Sequence, residues 1–163
     1  MQSTKQVGEY LVAAELCRRG WSATTFTGNM PAFDIVGVNP DGRVALVQVK
    51  TIRGGSWQFD ARHFLHIDVV GGKQTVRGRV EPPNPAIICV FVTLTDSGGA
   101  EYYLFKLRDL YDYVAQQYKG GFRPKRPDST HFAVRPKDIA QYKDKWELFS
   151  AFGGSSLPPS SLL

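Results

Sequence analysis

Four side chains within the first 50 residues have types and spacing that can do chemistry together: Glu9, Asp34, Gln48 and Lys50. Asp34 lies among Phe33, Ile35 and Val36, so a carboxylate interrupts an apolar run. Gln48 and Lys50 alternate with Val47 and Val49, and the two-residue period of a strand puts both on one face. Between the two runs, Asn39-Pro40-Asp41-Gly42 is a strong turn signal for a hairpin-like connection, which brings that face near Asp34. An acid, an amide and an ammonium are therefore expected at one strand edge. Such a set can hold a cation through its oxygens. It can equally close on itself, as an Asp34–Lys50 salt bridge with Gln48 hydrogen-bonded alongside.

Glu9 is the fourth member. Ser3-Thr4-Lys5-Gln6 fits a capping box and Gly20 is a natural stop, so a helix is expected between them. Val7, Tyr10, Leu11, Ala14 and Cys17 follow helical spacing there. At about 100° per residue, Glu9 projects close to Leu16 and between Val12 and Ala13, on the broad apolar side; Glu15 projects near Gly8 and Arg19, towards solvent. A carboxylate on a core-facing side is costly without compensation, which a metal ion or Lys50 can supply.

The elements that must position these groups follow from the rest of the chain. Three strand-like runs, Trp21 to Thr27, Phe33 to Val38 and Arg43 to Lys50, are joined by short turns and should pair antiparallel. Gly54-Gly55 and Gly71-Gly72 punctuate residues 52–85, where His63 to Val70 reads as a strand and Glu81-Pro82-Pro83-Asn84-Pro85 as a rigid linker or turn. Ala86 to Thr95 is a buried strand, followed after Asp96-Ser97-Gly98-Gly99 by a strand from Tyr102 to Leu107. Strands joined through longer segments can add in parallel. Leu107, Leu110, Tyr111, Val114 and Tyr118 make a helical stripe ending at Gly120-Gly121. A basic loop is expected from Phe122 to about Arg135, then a last helix over Pro136 to Phe149 with proline in its first turn. The expectation is an α/β fold, a mixed sheet with helices packed on it, as one domain over residues 1–152 with a flexible tail over 153–163.

Other chemistry is weaker. His63 and His66 are close in sequence, but on a strand they point to opposite faces, against a histidine metal cluster. Nothing near Cys17 in sequence would activate it as a nucleophile. Gly71-Gly72 lacks the Gly-Lys-Ser/Thr pattern of a phosphate-binding loop and reads as a turn.

Gly8-Glu9, Phe33-Asp34-Ile35-Val36 and Val47-Gln48-Val49-Lys50-Thr51, in that order, resemble the PD-(D/E)xK nuclease superfamily. They are most similar to its branch with a helix glutamate and a Gln-x-Lys ending, whose layout archaeal Holliday-junction resolvases and some homing endonucleases share in part. The resemblance covers residues 3–51 well and the later strand-strand-helix order loosely. The usual proline before the aspartate is replaced by Phe33, with the nearest proline at Pro31, and the usual acid before the lysine is Gln48. The resemblance implies a restriction-endonuclease-like fold and phosphodiester hydrolysis. Mg²⁺ (or Mn²⁺) would be held by Asp34, the Gln48 oxygen, the Val49 carbonyl and Glu9. Lys50 would orient the attacking water or stabilise developing negative charge. A Gln oxygen binds a hard cation more weakly than a carboxylate, so a chain that keeps binding and loses cleavage is the alternative.

Composition sets the wider frame. With 163 residues, 42% hydrophobic against 21% charged, the chain can bury a core and is not of disordered type. Its longest apolar run, Ala86 to Val92, is far short of the roughly 20 residues of a membrane span, and Met1 to Lys5 has no apolar core behind it, so no signal peptide is expected. Cys17 and Cys89 both sit in apolar stretches and read as reduced core residues of a cytoplasmic protein. The net charge of +5 is concentrated: residues 43–79 and 119–137 each carry +5, and everything else sums to −5. Arg53, Arg62, Lys73, Arg77 and Arg79 follow the candidate site, and Lys119, Arg123, Lys125 and Arg126 cluster beside Phe122. These nine form the candidate nucleic-acid surface. The interleaved Trp57, Phe59, Phe122 and Phe132 fit base contacts and core packing equally. The expected function is a metal-dependent endonuclease acting on DNA as a homodimer or larger symmetric assembly. Its rivals are an inactive nucleic-acid-binding module and a basic protein-interaction domain.

Overall fold

A strand buried on both faces must be apolar nearly throughout, and Ile88–Leu94, where Thr93 is the only residue not fully buried, meets that condition. The computed structural model of the chain describes residues 2–26, 32–119 and 126–152. Its elements are α1 (Gln2–Arg18), β1 (Ser22–Thr25), β2 (Ile35–Val38), β3 (Val44–Ile52), β4 (Trp57–Asp60), β5 (Leu65–Val70), β6 (Lys73–Arg79), β7 (Ile88–Leu94), β8 (Ala100–Lys106), α2 (Leu107–Lys119) and β9 (His131–Val134). Short 3-10 turns occupy Ala61–His63, Pro136–Tyr142 and Trp146–Phe152.

The central sheet has the order β1-β2-β3-β7-β8. β1, β2 and β3 pair antiparallel, β3 and β7 parallel, and β7 and β8 antiparallel. The turn from Asn39 to Gly42 closes the β2–β3 hairpin: Gly42 takes a positive φ of 79°, and the Asn39 side chain accepts a hydrogen bond from the Arg43 amide at 2.8 Å. Two small ribbons, β4–β9 and β5–β6, stand apart from this sheet.

Core side chains lie on both faces. Val12 and Leu16 of α1 pack with Trp146 and Phe149 on Val47, Val49, Ile88 and Val90. On the other face, Leu110 and Val114 of α2 join Trp57, Phe132 and Val134 on Cys89, Phe91 and Phe105. This is the expected mixed sheet flanked by helices. Among the described residues no helix is long and apolar enough to cross a membrane.

Several local expectations are corrected. Helix α1 already includes Gln2, so Ser3 does not mark its start. Its Val7–Tyr10–Ala14–Cys17 stripe faces outward, with Tyr10 53% exposed and Cys17 exposed; the buried side is Glu9, Val12 and Leu16. Small and apolar residues surround this helix on all sides, so spacing alone does not fix its inward arc. Gly8, placed with Glu15 on the solvent side, is buried against Thr51. Residues 52–85 hold two ribbon strands not foreseen, β4 and β6, and the expected basic loop contains β9. The expected last helix is broken: Lys143 bridges to Tyr103 of β8, and Asp144 takes φ of 55°, leaving two 3-10 turns. For Trp57 and Phe132, where base contact and packing were equally open, the structure decides for packing: both are core residues. Thr27, Phe122 and the expected tail over 153–163 lie outside the described residues.

Candidate active site

The site begins with a close helix–strand contact. Gly8 of α1 rests on Thr51 near the end of β3, and a Cβ built on Gly8 would overlap the Thr51 hydroxyl. That contact carries the next residue, Glu9, to the same end of the sheet. Glu9 is 8% exposed, the most deeply buried charged residue among those described.

Asp34 arrives from the opposite direction. It does not lie within a strand, as expected, but immediately precedes β2. Its amide donates to the Val47 carbonyl at 2.8 Å, so the hairpin ladder extends one residue further. Its Oδ2 then accepts a hydrogen bond from the Val49 amide, also at 2.8 Å. The carboxylate thus caps the edge of β3 where β2 has run out, and is held by backbone.

Glu9 and Asp34 meet on one cation. Lys5 Nζ lies 3.3 Å from Glu9 Oε1 and 3.2 Å from Asp34 Oδ1. The hydrogen bond to Asp34 is the main reason that the Lys5 ammonium is held above its ordinary pKa, against the opposing effect of burial. Lys5 is the site residue that sequence reasoning missed. Its signal was present: it precedes Glu9 by four residues, one helical turn away on the same face.

Val49 adds an oxygen beside the two carboxylates, whereas the Gln48 side chain shares the face of Leu46 and Lys50, opposite the Val47–Val49 face that packs on α1. Gln48 is half-buried beside Val49, and in an extended strand the Val49 carbonyl points to the same side as its amide, the side that Asp34 occupies. Among the described residues no group of three or more His, Cys, Asp or Glu is placed to hold a metal. The oxygens placed together are those of two carboxylates and the Val49 carbonyl. They fit a hard, oxygen-seeking divalent ion such as Mg²⁺ or Mn²⁺, and the carboxylate pair already embraces a cation in the form of the Lys5 ammonium.

Lys50 departs from expectation. It is exposed, its Nζ lies 5.8 Å from the centre of the Phe59 ring, and among the described residues it forms no ion pair with Asp34 or Glu9. The lysine that compensates the carboxylates is Lys5, not Lys50. The Lys50 side chain enters a groove of about 510 Å³ lined by Phe59, Asp60, His63, Asp128 and His131. Its carbonyl is fixed by the Trp57 indole N–H at 3.0 Å. His63 belongs to a 3-10 turn and not to the strand expected there, while His66 is on β5.

The candidate nucleic-acid residues divide by their partners. Arg62 pairs with Asp60 at 2.5 Å, Arg77 with Asp68 at 2.7 Å, and Arg79 with Asp112. Arg53, Lys73, Lys119 and Arg126 are exposed and form no ion pair among the described residues. Arg123 and Lys125 lie outside them. The two basic stretches, distant in sequence, meet in space: the Gln74 side-chain amide on β6 donates to the Pro127 carbonyl at 3.0 Å and also to that of Ser129.

No protein-family model matches the sequence, and no curated protein matches it. Solved structures do. The bacterial homing endonuclease I-Ssp6803I aligns over 94% of this chain and 95% of its own, with a TM-score of 0.51 and 15% identity. The Holliday junction resolvase Hjc of the archaeal hyperthermophile Archaeoglobus fulgidus aligns over 90% of this chain and 95% of its own, with a TM-score of 0.46 and 13% identity. The fold is the restriction-endonuclease-like one, a mixed central sheet flanked by helices, that the motif resemblance implies. At such identities the architecture is what is shared.

Proposed function

We propose that this protein is a divalent-metal-dependent endonuclease that hydrolyses phosphodiester bonds in DNA. The observation that carries this reading is the meeting of Glu9 and Asp34, from separate elements, beside the Gln48–Val49–Lys50 strand end. The fold shared with a homing endonuclease supports it. Asp34, Glu9 and the Val49 carbonyl hold Mg²⁺ or Mn²⁺. When bound, such an ion supplies polarisation of the phosphate and a lowered pKa for a coordinated water. Lys50 leaves the Phe59 ring to orient the attacking water or to stabilise charge developing on the phosphate. The exposed Arg53, Lys73, Lys119 and Arg126 hold the DNA backbone, and cutting both strands calls for a symmetric homodimer or larger assembly acting in the cytoplasm.

The test uses linear, supercoiled and branched DNA with Mg²⁺ or Mn²⁺, and with EDTA in place of metal. Cutting is expected only with metal. Asp34→Ala and Lys50→Ala should each reduce it on the order of 100-fold or more while DNA retention persists. Cutting that survives both substitutions overturns the assigned site.

A second reading, a binding module without cleavage, is favoured by Gln48 standing where an acid is usual and by the placement of Lys50 on Phe59. Its signature is salt-sensitive DNA retention with no cutting under either metal. Neither cutting nor retention points to a basic protein-interaction domain.

A further inference from the structure

Glu9 and Asp34 are fixed, and Lys5 is not. Asp34 is held by the Val49 amide at 2.8 Å, and Glu9 is carried on a helix locked against β3 through Gly8 and Thr51. Their side chains are 10% and 13% exposed, whereas that of Lys5 is 59% exposed and reaches both carboxylates across one helical turn. The ammonium can therefore swing into solvent by side-chain rotation alone, with no change in α1. Asp34 has no such freedom, and burial leaves Glu9 little.

The charges do not balance. One ammonium between two carboxylates leaves a net −1, and a divalent cation in the same place cancels it. The ammonium and a metal ion also compete for the same oxygens, Glu9 Oε1 and Asp34 Oδ1, so both cannot be held at once.

We propose that Lys5 is an exchangeable internal counter-ion of the metal site: its ammonium holds Glu9 and Asp34 together in the metal-free protein and is displaced when a divalent cation binds. The inference rests on the reading of Glu9 and Asp34 as metal ligands. It assigns Lys5 a positioning role that sets how much metal is needed. It also explains how two nearly buried carboxylates are tolerated before metal arrives.

The test is Mn²⁺ binding without DNA, followed by the electron paramagnetic resonance signal of free Mn²⁺, on wild type, Lys5→Met, Lys5→Arg and Asp34→Asn. Thermal unfolding with and without Mn²⁺ is measured on each. Removing the competing charge should tighten Mn²⁺ binding on the order of tenfold in Lys5→Met, the scale of a partly screened unit charge at this range. Lys5→Arg should restore affinity towards wild type. The metal-free Lys5→Met protein should unfold at lower temperature than wild type, and the gap should close once Mn²⁺ is bound. Lys5→Met binding Mn²⁺ no more tightly than wild type overturns the exchange while leaving the metal site standing. Absence of Mn²⁺ binding by every protein, or Asp34→Asn binding as well as wild type, overturns the metal-site reading and the exchange with it.

Discussion

Gly8 and Thr51 touch so closely that a side chain at position 8 has no space: a Cβ there would overlap the Thr51 hydroxyl and stand 2.9 Å from Thr51 Cβ. A glycine inside a helix is otherwise unfavourable, by roughly 1 kcal/mol relative to alanine. What offsets that cost here is distance. The backbone of α1 approaches β3 closely enough for Glu9, the next residue, to share Lys5 with Asp34.

Gly8→Ala should therefore destabilise the protein despite alanine's better helix propensity. The expected loss is about 1–3 kcal/mol, the scale of overpacking in a close-packed interior. Adding Thr51→Ala should recover part of it, because it removes the hydroxyl that the new methyl would strike. Urea unfolding of the two single variants and the double gives the coupling directly. A Gly8→Ala protein as stable as wild type would show that α1 does not depend on this contact.

How much of the site could be read beforehand depended on the kind of constraint. The hairpin positions of Asp34, Gln48 and Lys50 were legible, though not how their side chains gather, because the Asn39–Gly42 turn and a two-residue alternation fix the register. Glu9 was legible from its angular position beside Val12 and Leu16. Lys5 was missed although it stands four residues before Glu9, because only the fold brings Asp34 to the same ammonium. Lys50 was misplaced for the same reason in reverse: its strand face is right, yet an aromatic ring from β4 draws the ammonium away. The ribbon strand β6, Lys73-Gln74-Thr75-Val76-Arg77-Gly78-Arg79, carries mostly polar side chains because its residues are exposed or half-buried, so no apolar period announced it. The break at Lys143–Asp144 comes from pairing with Tyr103, 40 residues upstream of Lys143, which no local pattern encodes.

The two cysteines should differ sharply in reactivity. Cys17 is exposed on α1, whereas Cys89 is buried in β7, where loss of solvent pushes its thiol pKa up to about 12. Only the thiolate reacts with alkylating agents. Native protein treated with iodoacetamide at pH 8 should gain one adduct, at Cys17, and unfolded protein two, as mass spectrometry would resolve. A second adduct on native protein at a matching rate would contradict the burial of Cys89.

Asp60 should make stability depend on acid. Its side chain accepts from the Arg62 amide at 2.9 Å and so caps the 3-10 turn Ala61–His63. Arg62, chiefly through its side-chain hydrogen bonds, holds the Asp60 carboxyl well below its ordinary pKa of 3.8. A depressed folded-state pKa means that the contribution is present above the unfolded value and is lost as pH falls through the folded one. Asp60→Asn keeps a capping oxygen but removes the charge paired with Arg62, so it should cost about 0.5–1 kcal/mol at pH 7, the scale of a partly exposed ion pair, and progressively less below pH 4. Urea midpoints of wild type and variant at pH 7 and pH 3 give the comparison. A difference that does not shrink in acid would mean that the carboxylate charge is not what matters.

DNA binding should separate the free cations from the paired ones. A side chain without a competing internal carboxylate, such as Lys73, Lys119 or Arg126, meets a phosphate at less cost than Arg62, Arg77 and Arg79, which already have one. Each lysine or arginine that neutralises a phosphate contributes close to one unit to the slope of log affinity against log salt. Lys73→Ala, Lys119→Ala and Arg126→Ala should each weaken retention of a DNA duplex and lower that slope by roughly 0.9. Arg77→Ala should do neither, since what it removes is an exposed pair with Asp68. Because Gln74 ties the β5–β6 ribbon to the segment holding Pro127 and Ser129, Lys73 and Arg126 should act on the same molecule of DNA. Fluorescence anisotropy at four or five salt concentrations measures each slope. Slopes that fall for Arg77→Ala and stay unchanged for Lys73→Ala would move the DNA path off this surface.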